Sequence, residues 1–422
     1  MEGRPRAFRA APRGRGLTSA RLRNVPAREV TSGRRPVDVA IVGGGIVGTS
    51  AAALLAEAGT RVLLAERASI GAGASGRNSG SIQHPFDPVL APFYHRSLQL
   101  YAEVGELATD DPGVQGFRLP AEPNGILLVA HSGEAIEQEA RAIAEIAPEL
   151  NPEVLEGPRV RALEPTLAPE VVACRLNTGY AVPPAAATDA FAVRAERAGG
   201  IIELGASAVV WLEAGRALGL IVDGHRVAAG SVLVAAGPWT PDVLARDGGW
   251  RPVVPIWGLN VDVALPSAPR HILEELGVEA VGEPSGWSPS VDDDVAGVPS
   301  VFSLVTVAGS STLGSTFLPA EPDAMRMAPE LRRRGSRFVP SLAEAPIRST
   351  RICARPQSRD GRPLLGRVPG AGNLFVAAGH GPWGISLGPA SAELVVDLIV
   401  GLRMSVPSEV DPTRFGPPTI LN

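Results

Sequence analysis

The stretch from Val37 to Glu66 limits what this chain can fold into more than any other. Val37, Val39, Ala40, Ile41 and Val42 form a nearly continuous apolar run, the pattern of a parallel strand buried on both faces. Gly43-Gly-Gly-Ile-Val-Gly48 follows, and Gly43, Gly45 and Gly48 fit G-x-G-x-x-G. The first glycine permits a tight turn, the second lets a pyrophosphate approach the backbone, and the third lets a helix lie close to the strand. Ser50–Ala58 is alanine-rich and predicts that helix, Gly59 stops it, and Thr60–Leu64 supplies the next strand. Glu66 lies 23 residues after Gly43, close to the separation of an acid that holds a ribose. A lone glycine motif is weak, but strand, turn, helix, stop, second strand and acid fall here in order, and a ligand-free turn accounts for them poorly. The acid favours a free ribose 2′-hydroxyl, hence FAD or NAD rather than NADP.

A chain of 422 residues suits two interwoven domains or one large one with a sizeable core. No apolar run approaches the roughly 20 residues of a membrane span. With only Cys174 and Cys353, no disulfide framework is implied, and a reducing, cytoplasmic setting is the simpler expectation. All 39 basic side chains are arginine. Schiff-base chemistry and a lysine base are therefore excluded from this polypeptide. Residues 1–35 hold ten arginines against Glu2 and Glu29, a charge of +8, which leaves −13 on the rest of a chain whose net charge is −5. This segment has no apolar core pattern and is expected to be disordered. It lacks the apolar centre of a secretory signal. An organelle presequence, an acid-binding tail and a start codon chosen too far upstream compete for it, with the last or a dispensable tail preferred. The acidic body gives no support for nucleic-acid binding.

Further along, Ser69–His84 is too rich in glycine and serine for a bare connector, and its amides, with Arg77, suit a diphosphate. Helices are predicted over Phe86–Leu107, Ser132–Ile146, Ala185–Ala198 and Met327–Phe338, and strands over Gly125–Ala130, Ile201–Leu220, His225–Val234, 259–265 and 299–318. Ser231-Val-Leu-Val-Ala-Ala-Gly237 reads as a second buried strand ending in a glycine turn. Asn373–Ala378 is a third, ending in Gly379-His-Gly-Pro-Trp-Gly-Ile-Ser386, with a helix expected over about Pro389–Val400. That helix start points amides at something electron-rich.

Taken in this order, the Val37–Glu66 unit, Ala74–Gly80, Val234–Trp239, and Arg355-Pro-x-x-x-Asp-Gly-Arg-Pro363 with Gly379-His-Gly381 resemble the D-amino-acid oxidase superfamily of FAD-dependent oxidoreductases, which includes glycine oxidase, sarcosine oxidase and proline-type dehydrogenases. The resemblance covers about 36–402 in pieces; 85–170 and 260–345 match poorly. It implies an α/β fold: a Rossmann-like FAD-binding domain of the glutathione-reductase type from 36–90, 170–245 and 346–405, interleaved with an antiparallel-sheet substrate domain from 91–169 and 246–345. By position it assigns Gly43, Gly45, Ile46, Val47, Gly48, Glu66 and Arg67 to the ADP half of FAD. Ser75, Gly76, Arg77, Asn78, Ser79 and Gly80 fall along the diphosphate or flavin, with Val209, Ala236, Gly237 and Trp239 also at the cofactor. Gly379, His380, Gly381, Trp383, Gly384 and Ile385 fall at the flavin's N1–C2=O edge, where amides stabilise the anionic reduced flavin.

The resemblance also implies that Arg355 binds a substrate carboxylate through its guanidinium fork. His380 is a catalytic candidate, His84 and Trp383 are substrate-side candidates, and Tyr94 is better read as core. A cysteine before the Arg355 motif carries flavin covalently in the sarcosine-oxidase branch. Cys353 has the matching spacing but Ala-Arg-Pro after it, so non-covalent FAD is expected and a covalent link is the alternative. No metal is expected. The implied activity is oxidation of the C–N bond of a small amino or imino acid by hydride transfer to flavin N5, giving an imine. Oxygen or another acceptor would reoxidise the flavin; the sarcosine-oxidase branch uses a lysine for oxygen, and none exists here. A 2-hydroxy-acid or polyol dehydrogenase and an accessory subunit of a larger dehydrogenase are the rival readings, and an oligomer remains open.

Overall fold

The computed structural model describes residues 35–107, 117–244, 250–277 and 300–418. The segment 1–34, expected above to be disordered, lies outside the described residues. Along the chain the first elements are β1 (Val37–Val42), α1 (Ile46–Glu57), β2 (Val62–Glu66), α2 (Ala74–Arg77), β3 (Ser81–Ile82), α3 (Ala91–Leu107), β4 (Ile126–Ala130), α4 (Gly133–Ile146), β5 (Glu153–Leu155) and α5 (Pro158–Leu163). Next come β6 (Val172–Leu176), β7 (Tyr180–Ala181), α6 (Pro184–Arg197), β8 (Ile201–Leu204), β9 (Ala208–Glu213), β10 (Arg216–Val222), β11 (His225–Val234) and α7 (Thr240–Leu244). The last are β12 (Val253–Val263), β13 (Ile272–Glu275), β14 (Ser300–Val307), β15 (Ser310–Thr316), α8 (Ala324–Ser336), β16 (Ile347–Ser358), β17 (Leu364–Arg367), β18 (Leu374–Ala378) and α9 (Gly384–Ile399).

The apolar runs at 37–42, 231–234 and 374–378 become neighbouring parallel strands. β1 lies between β2 and β11, and β11 pairs with β18. The whole sheet runs β17-β18-β11-β1-β2-β8, with β9 and β10 folded back from β11. One apolar cluster packs Val39, Ile41, Leu64 and Leu233 against α1, α3, α6 and α9. The opposite face buries Ala40, Val42, Leu63 and Val234 with the β10 residues Leu220 and Val222. This is the two-sided burial that a parallel sheet requires.

A second sheet runs β16-β12-β15-β14-β13-β4-β6-β5. Leu127, Leu259, Leu273, Leu304 and Leu313 project from one face onto Leu331 and Phe338 in and after α8. The sheet is antiparallel throughout as expected except where β13 runs parallel to β4. Two strands also cross the expected segment boundaries. β6, inside 170–245, and β16, inside 346–405, both belong to the second sheet, β16 along its whole length against β12.

Helix starts moved for local reasons. α8 begins at Ala324 because the Asp323 carboxylate accepts from the amides of Met325 and Arg326. α9 begins at Gly384, not Pro389. A proline inside a helix leaves the carbonyl four residues back without its usual donor. That carbonyl belongs to Ile385, and it accepts the buried Tyr101 hydroxyl at 2.7 Å. Among the described residues no helix is long and apolar enough to cross a membrane.

Candidate cofactor and substrate cavity

A cavity of about 600 Å³ opens where the C-terminal ends of β1, β11 and β18 meet β16. Gly43, Gly45, Ile46 and Val47 form its floor at the start of α1. Glycine is required at two places. A Cβ on Gly43, whose φ is +110°, would lie 2.4 Å from the Ala235 carbonyl oxygen, and one on Gly48 would lie 1.9 Å from that of Gly43. The strand, turn and helix are thus held at a separation that no side chain permits. Glu66 fixes the same turn: its carboxylate accepts from the amides of Gly44 at 2.7 Å and Ala68 at 2.9 Å. Arg67 lies over the Trp239 ring, 4.1 Å from its centroid, so these two side chains form one wall. Ser75 Oγ accepts the Ile46 amide at 3.0 Å. Arg77 reaches the Ile352 carbonyl, and Asn78 ties down its own turn by bonding the Ala74 and Ser75 carbonyls and the Gly80 amide.

Ala236 and Gly237 lie beside Gly43, and Cys353, Ala354, Arg355, His380, Gly381, Gly384 and Ile385 complete the lining. Neither α1 nor α9 has a side-chain cap or an acid in its first turn. Both helices turn partly positive amide ends to one space, with Ser75 Oγ taking the first amide of α1. Arg355 is the half-buried charge there. Its guanidinium donates to the Thr316 carbonyl at 2.9 Å and to Ser315 Oγ, and it stacks on Phe317. It lies over Gly258, where a Cβ would meet Nη1 at 2.4 Å. No carboxylate pairs with it among the described residues, and burial lowers its pKa. His380 is buried and its Nε2 has no partner among the described residues. Burial pushes its pKa down to about 4, so the ring is neutral.

Several residues assigned by position stand outside the lining. Gly48, Gly76 and Gly80 serve close backbone packing instead: a Cβ on Gly76 would lie 2.5 Å from the Gly71 oxygen and one on Gly80 2.1 Å from that of Val182. Gly379 packs against Leu364 and Ser358, and Trp383 against the core beside α9. Ser79 is not in the wall. Val209 gives way to its neighbour Ala208, because alternate residues of a strand face opposite sides. Ala206 and Ser207, which sequence reasoning passed over, line the wall beside Ala208.

His84 also lies away from the cavity. Its Nδ1 accepts the Phe86 amide at 3.1 Å, which puts the proton on Nε2, facing Glu149 at 3.8 Å. Burial, then His95, lowers its pKa to about 4, partly opposed by Glu149. His84, His95 and Glu149 are grouped closely enough to suggest a metal, but that tautomer offers them an N–H, not a lone pair. Tyr94 is core, hydrogen-bonded to Thr178.

The cavity fits FAD on its own chemistry. Close-packed glycines and a ribose-type acid stand at one end, two helix N-termini open onto it, and it is lined by a buried imidazole whose Nε2 has no partner among the described residues. The profile of the family described as FAD dependent oxidoreductase, DAO, matches residues 38–398. Glycine oxidase of Pseudomonas aeruginosa is 27% identical over 395 residues, covering 90% of this chain and 98% of that protein. The crystal structure of glycine oxidase from Geobacillus kaustophilus superposes with a TM-score of 0.76 at 25% identity, covering 90% of this chain and 99% of that one. Iminodiacetate oxidase from Chelativorans sp. BNC1 shares the fold, with a TM-score of 0.72 at 23% identity over 90% of this chain and 99% of that one. The chain belongs to the DAO family of FAD-dependent oxidoreductases.

Proposed function

We propose that this enzyme oxidises the C–N bond of a small amino or imino acid to an imine, which water then hydrolyses. The observation that carries the reading is Arg355: a half-buried guanidinium without an anionic partner among the described residues, in the cavity wall near the start of α9. A carboxylate supplies the missing anion, and the guanidinium fork binds it bidentately. FAD, when bound, supplies the two-electron acceptor. The chain's residues hold and orient. Gly43–Val47 and Glu66 take the ADP half, Ser75–Asn78 flank the diphosphate, and the amides at Gly384 and Ile385 supply positive charge to the flavin edge. Arg355 fixes the α-carbon by holding the carboxylate.

No protein base is compulsory if the amine binds as its neutral form. Glycine oxidase and iminodiacetate oxidase among the similar proteins act on substrates of this class, as their names state. We infer non-covalent FAD, a cytoplasmic setting, and reoxidation by oxygen or by another acceptor. The test is anaerobic mixing of the yellow holoenzyme with glycine, N-methyl amino acids, D- and L-amino acids, proline and 2-hydroxy acids. Bleaching at 450 nm by an amine is the expected result; a spectrum that no amine changes would refute the proposal.

A further inference from the structure

We propose that Tyr101 is a positioning residue for the flavin edge: from α3 it replaces the amide that Pro389 lacks and holds the cavity-facing first turn of α9 in place. This rests on the placement of the flavin edge at Gly384 and Ile385 and not on the choice of substrate. Both residues line the cavity. Pro389 lies four residues after Ile385 within α9, so it brings no N–H to the Ile385 carbonyl, and its ring crowds that oxygen. Ile385 is buried, so bulk water does not supply the donor. The Tyr101 hydroxyl does, at 2.7 Å. Tyr101 is fully buried, with its ring against Phe117 and Phe191 at centroid distances of 5.4 and 5.9 Å. Burial raises its pKa well above the ordinary phenol range, so it stays a donor.

The contact reaches the cavity through one peptide plane. The Ile385 carbonyl and the Ser386 amide belong to the same rigid unit, so fixing one fixes the direction of the other. Ser386 is the third residue of α9, and its amide is among the four that a helix start leaves without an internal acceptor. Two further contacts hold the same stretch. Ser97, one helical turn before Tyr101 on α3, accepts the Ala390 amide at 3.2 Å, and Ser386 Oγ accepts the Gln83 amide at 3.0 Å. The grip of α3 thus brackets Pro389, with Ile385 on one side and Ala390 on the other. α9 also rests on the cavity floor: a Cβ on Gly388 would lie 2.8 Å from Ile46 Cγ2. Without the hydroxyl, the buried carbonyl turns toward another donor and carries the Ser386 amide with it. Negative charge at the flavin edge then meets a poorly aimed helix start.

The test compares FAD-loaded wild type, Tyr101→Phe, Pro389→Ala and the double variant, each as the full chain. The readout is the redox equilibrium between the bound flavin and a reference dye. In Tyr101→Phe the equilibrium constant for two-electron reduction should fall about tenfold, which is about 30 mV to lower potential. Anaerobic reduction by an amino acid should lose a similar factor in kcat, with KM within about threefold, because Arg355 stands on β16 and not on α9. Pro389→Ala supplies the missing N–H, so the double variant should return to within about threefold of the wild-type equilibrium constant. Tyr101→Phe with a lower thermal midpoint but an unchanged potential would show a purely structural bond and overturn the assignment, while leaving the flavin edge where it is placed. A double variant no closer to wild type than Tyr101→Phe would do the same. Should Tyr101→Phe lose its flavin, recovery of bound flavin in the double variant supports the assignment, and its absence overturns it. A wild-type flavin no easier to reduce than free FAD would overturn the placement of the flavin edge, and this assignment with it.

Discussion

Replacing Arg355 with methionine separates substrate binding from folding. The guanidinium makes two hydrogen bonds to β15 and one stacking contact, and no ion pair among the described residues. Methionine fills much of the same volume. It removes a partly desolvated charge, which favours the variant, but costs the Thr316 carbonyl and Ser315 hydroxyl their bonds to the guanidinium, at about 1–3 kcal/mol each, and leaves only the long contact between them at 3.5 Å. These effects oppose each other, so the thermal midpoint should shift by only a few degrees and FAD should stay bound. Substrate binding has no such offset. Removing one member of a buried charge pair costs about 2–5 kcal/mol, and each 1.4 kcal/mol is a factor of ten. The kcat/KM for anaerobic reduction by an amino acid should therefore fall roughly 10²-fold or more, mainly through KM, because the carboxylate is held in ground and transition states alike. Arg355→Lys keeps the charge but not the fork and should recover only part of the loss. An amine of the same chain length without a carboxylate supplies the control, since its slower reduction should not respond to the substitution. Equal losses for amine and amino acid, or a methionine variant within threefold of wild type, would show that Arg355 is a structural clamp on β15.

Other outcomes follow from the same contacts. Gly48→Ala places a methyl group 1.9 Å from the Gly43 oxygen, a backbone atom that cannot yield without moving α1 from β1; the purified protein should be colourless or insoluble. Glu66→Gln turns one of two acceptors into a donor facing a backbone amide, a loss of about 1–3 kcal/mol that flavin-fluorescence titration should record as roughly tenfold weaker FAD binding. Acid precipitation should release all the yellow colour, and a yellow pellet that becomes colourless in Cys353→Ser would establish attachment at Cys353. Glu274 holds a proton in the folded state up to about pH 7, whereas the unfolded chain releases it near 4.5, so the stability it contributes is complete below pH 4.5 and is lost as pH rises through 7, about 3 kcal/mol in all. His84 and His380, lowered to about 4, act with the opposite sign and lose stability as pH falls below 6.5. Glu274→Gln should therefore make the thermal midpoint rise more steeply, or fall less, between pH 5 and 8; an unchanged slope would show that the carboxyl is not buried as described.

The cofactor half was legible because backbone builds it. Glycine spacing, apolar runs and helix stops are local signals, and they located β1, α1, β2, β11 and β18 with few errors. Side-chain direction was not legible: Val209 and Ala208 differ only in which face of β9 they occupy, a matter of register with β10. The α9 start was hidden because the donor that replaces the missing Pro389 amide is Tyr101, 288 residues earlier. The substrate half is assembled from distant pieces. Ser315, Thr316, Phe317 and Gly258 surround Arg355, and none of them signals a carboxylate site alone. Arg355–Pro363 was legible as a motif with no secondary structure assigned, and its first residues, Arg355–Ser358, lie within a strand that pairs fully with β12. Glu274 and Glu275 were passed over in the sequence. The structure instead buries Glu274 under Gln83 and pairs Glu275 with Arg334.

Charge alone does not choose between an amino acid and a 2-hydroxy acid, since both bring a carboxylate to Arg355. The proton does. An alcohol must lose its hydroxyl proton as hydride departs, and a base serves best when its conjugate acid has a pKa near the working pH. His380 is the one histidine in the cavity wall among the described residues, and burial holds it near 4. At neutral pH it is unprotonated but a feeble acceptor. An amine needs no such group, because it can shed its extra proton to water before or during binding. Reduction should accordingly gain rate with rising pH as the substrate amine deprotonates, with no inflection near pH 4 from the protein. His380→Asn should retain amine-driven reduction within about tenfold. A 2-hydroxy acid that bleaches the flavin in wild type and fails in His380→Asn would reverse the choice of substrate class.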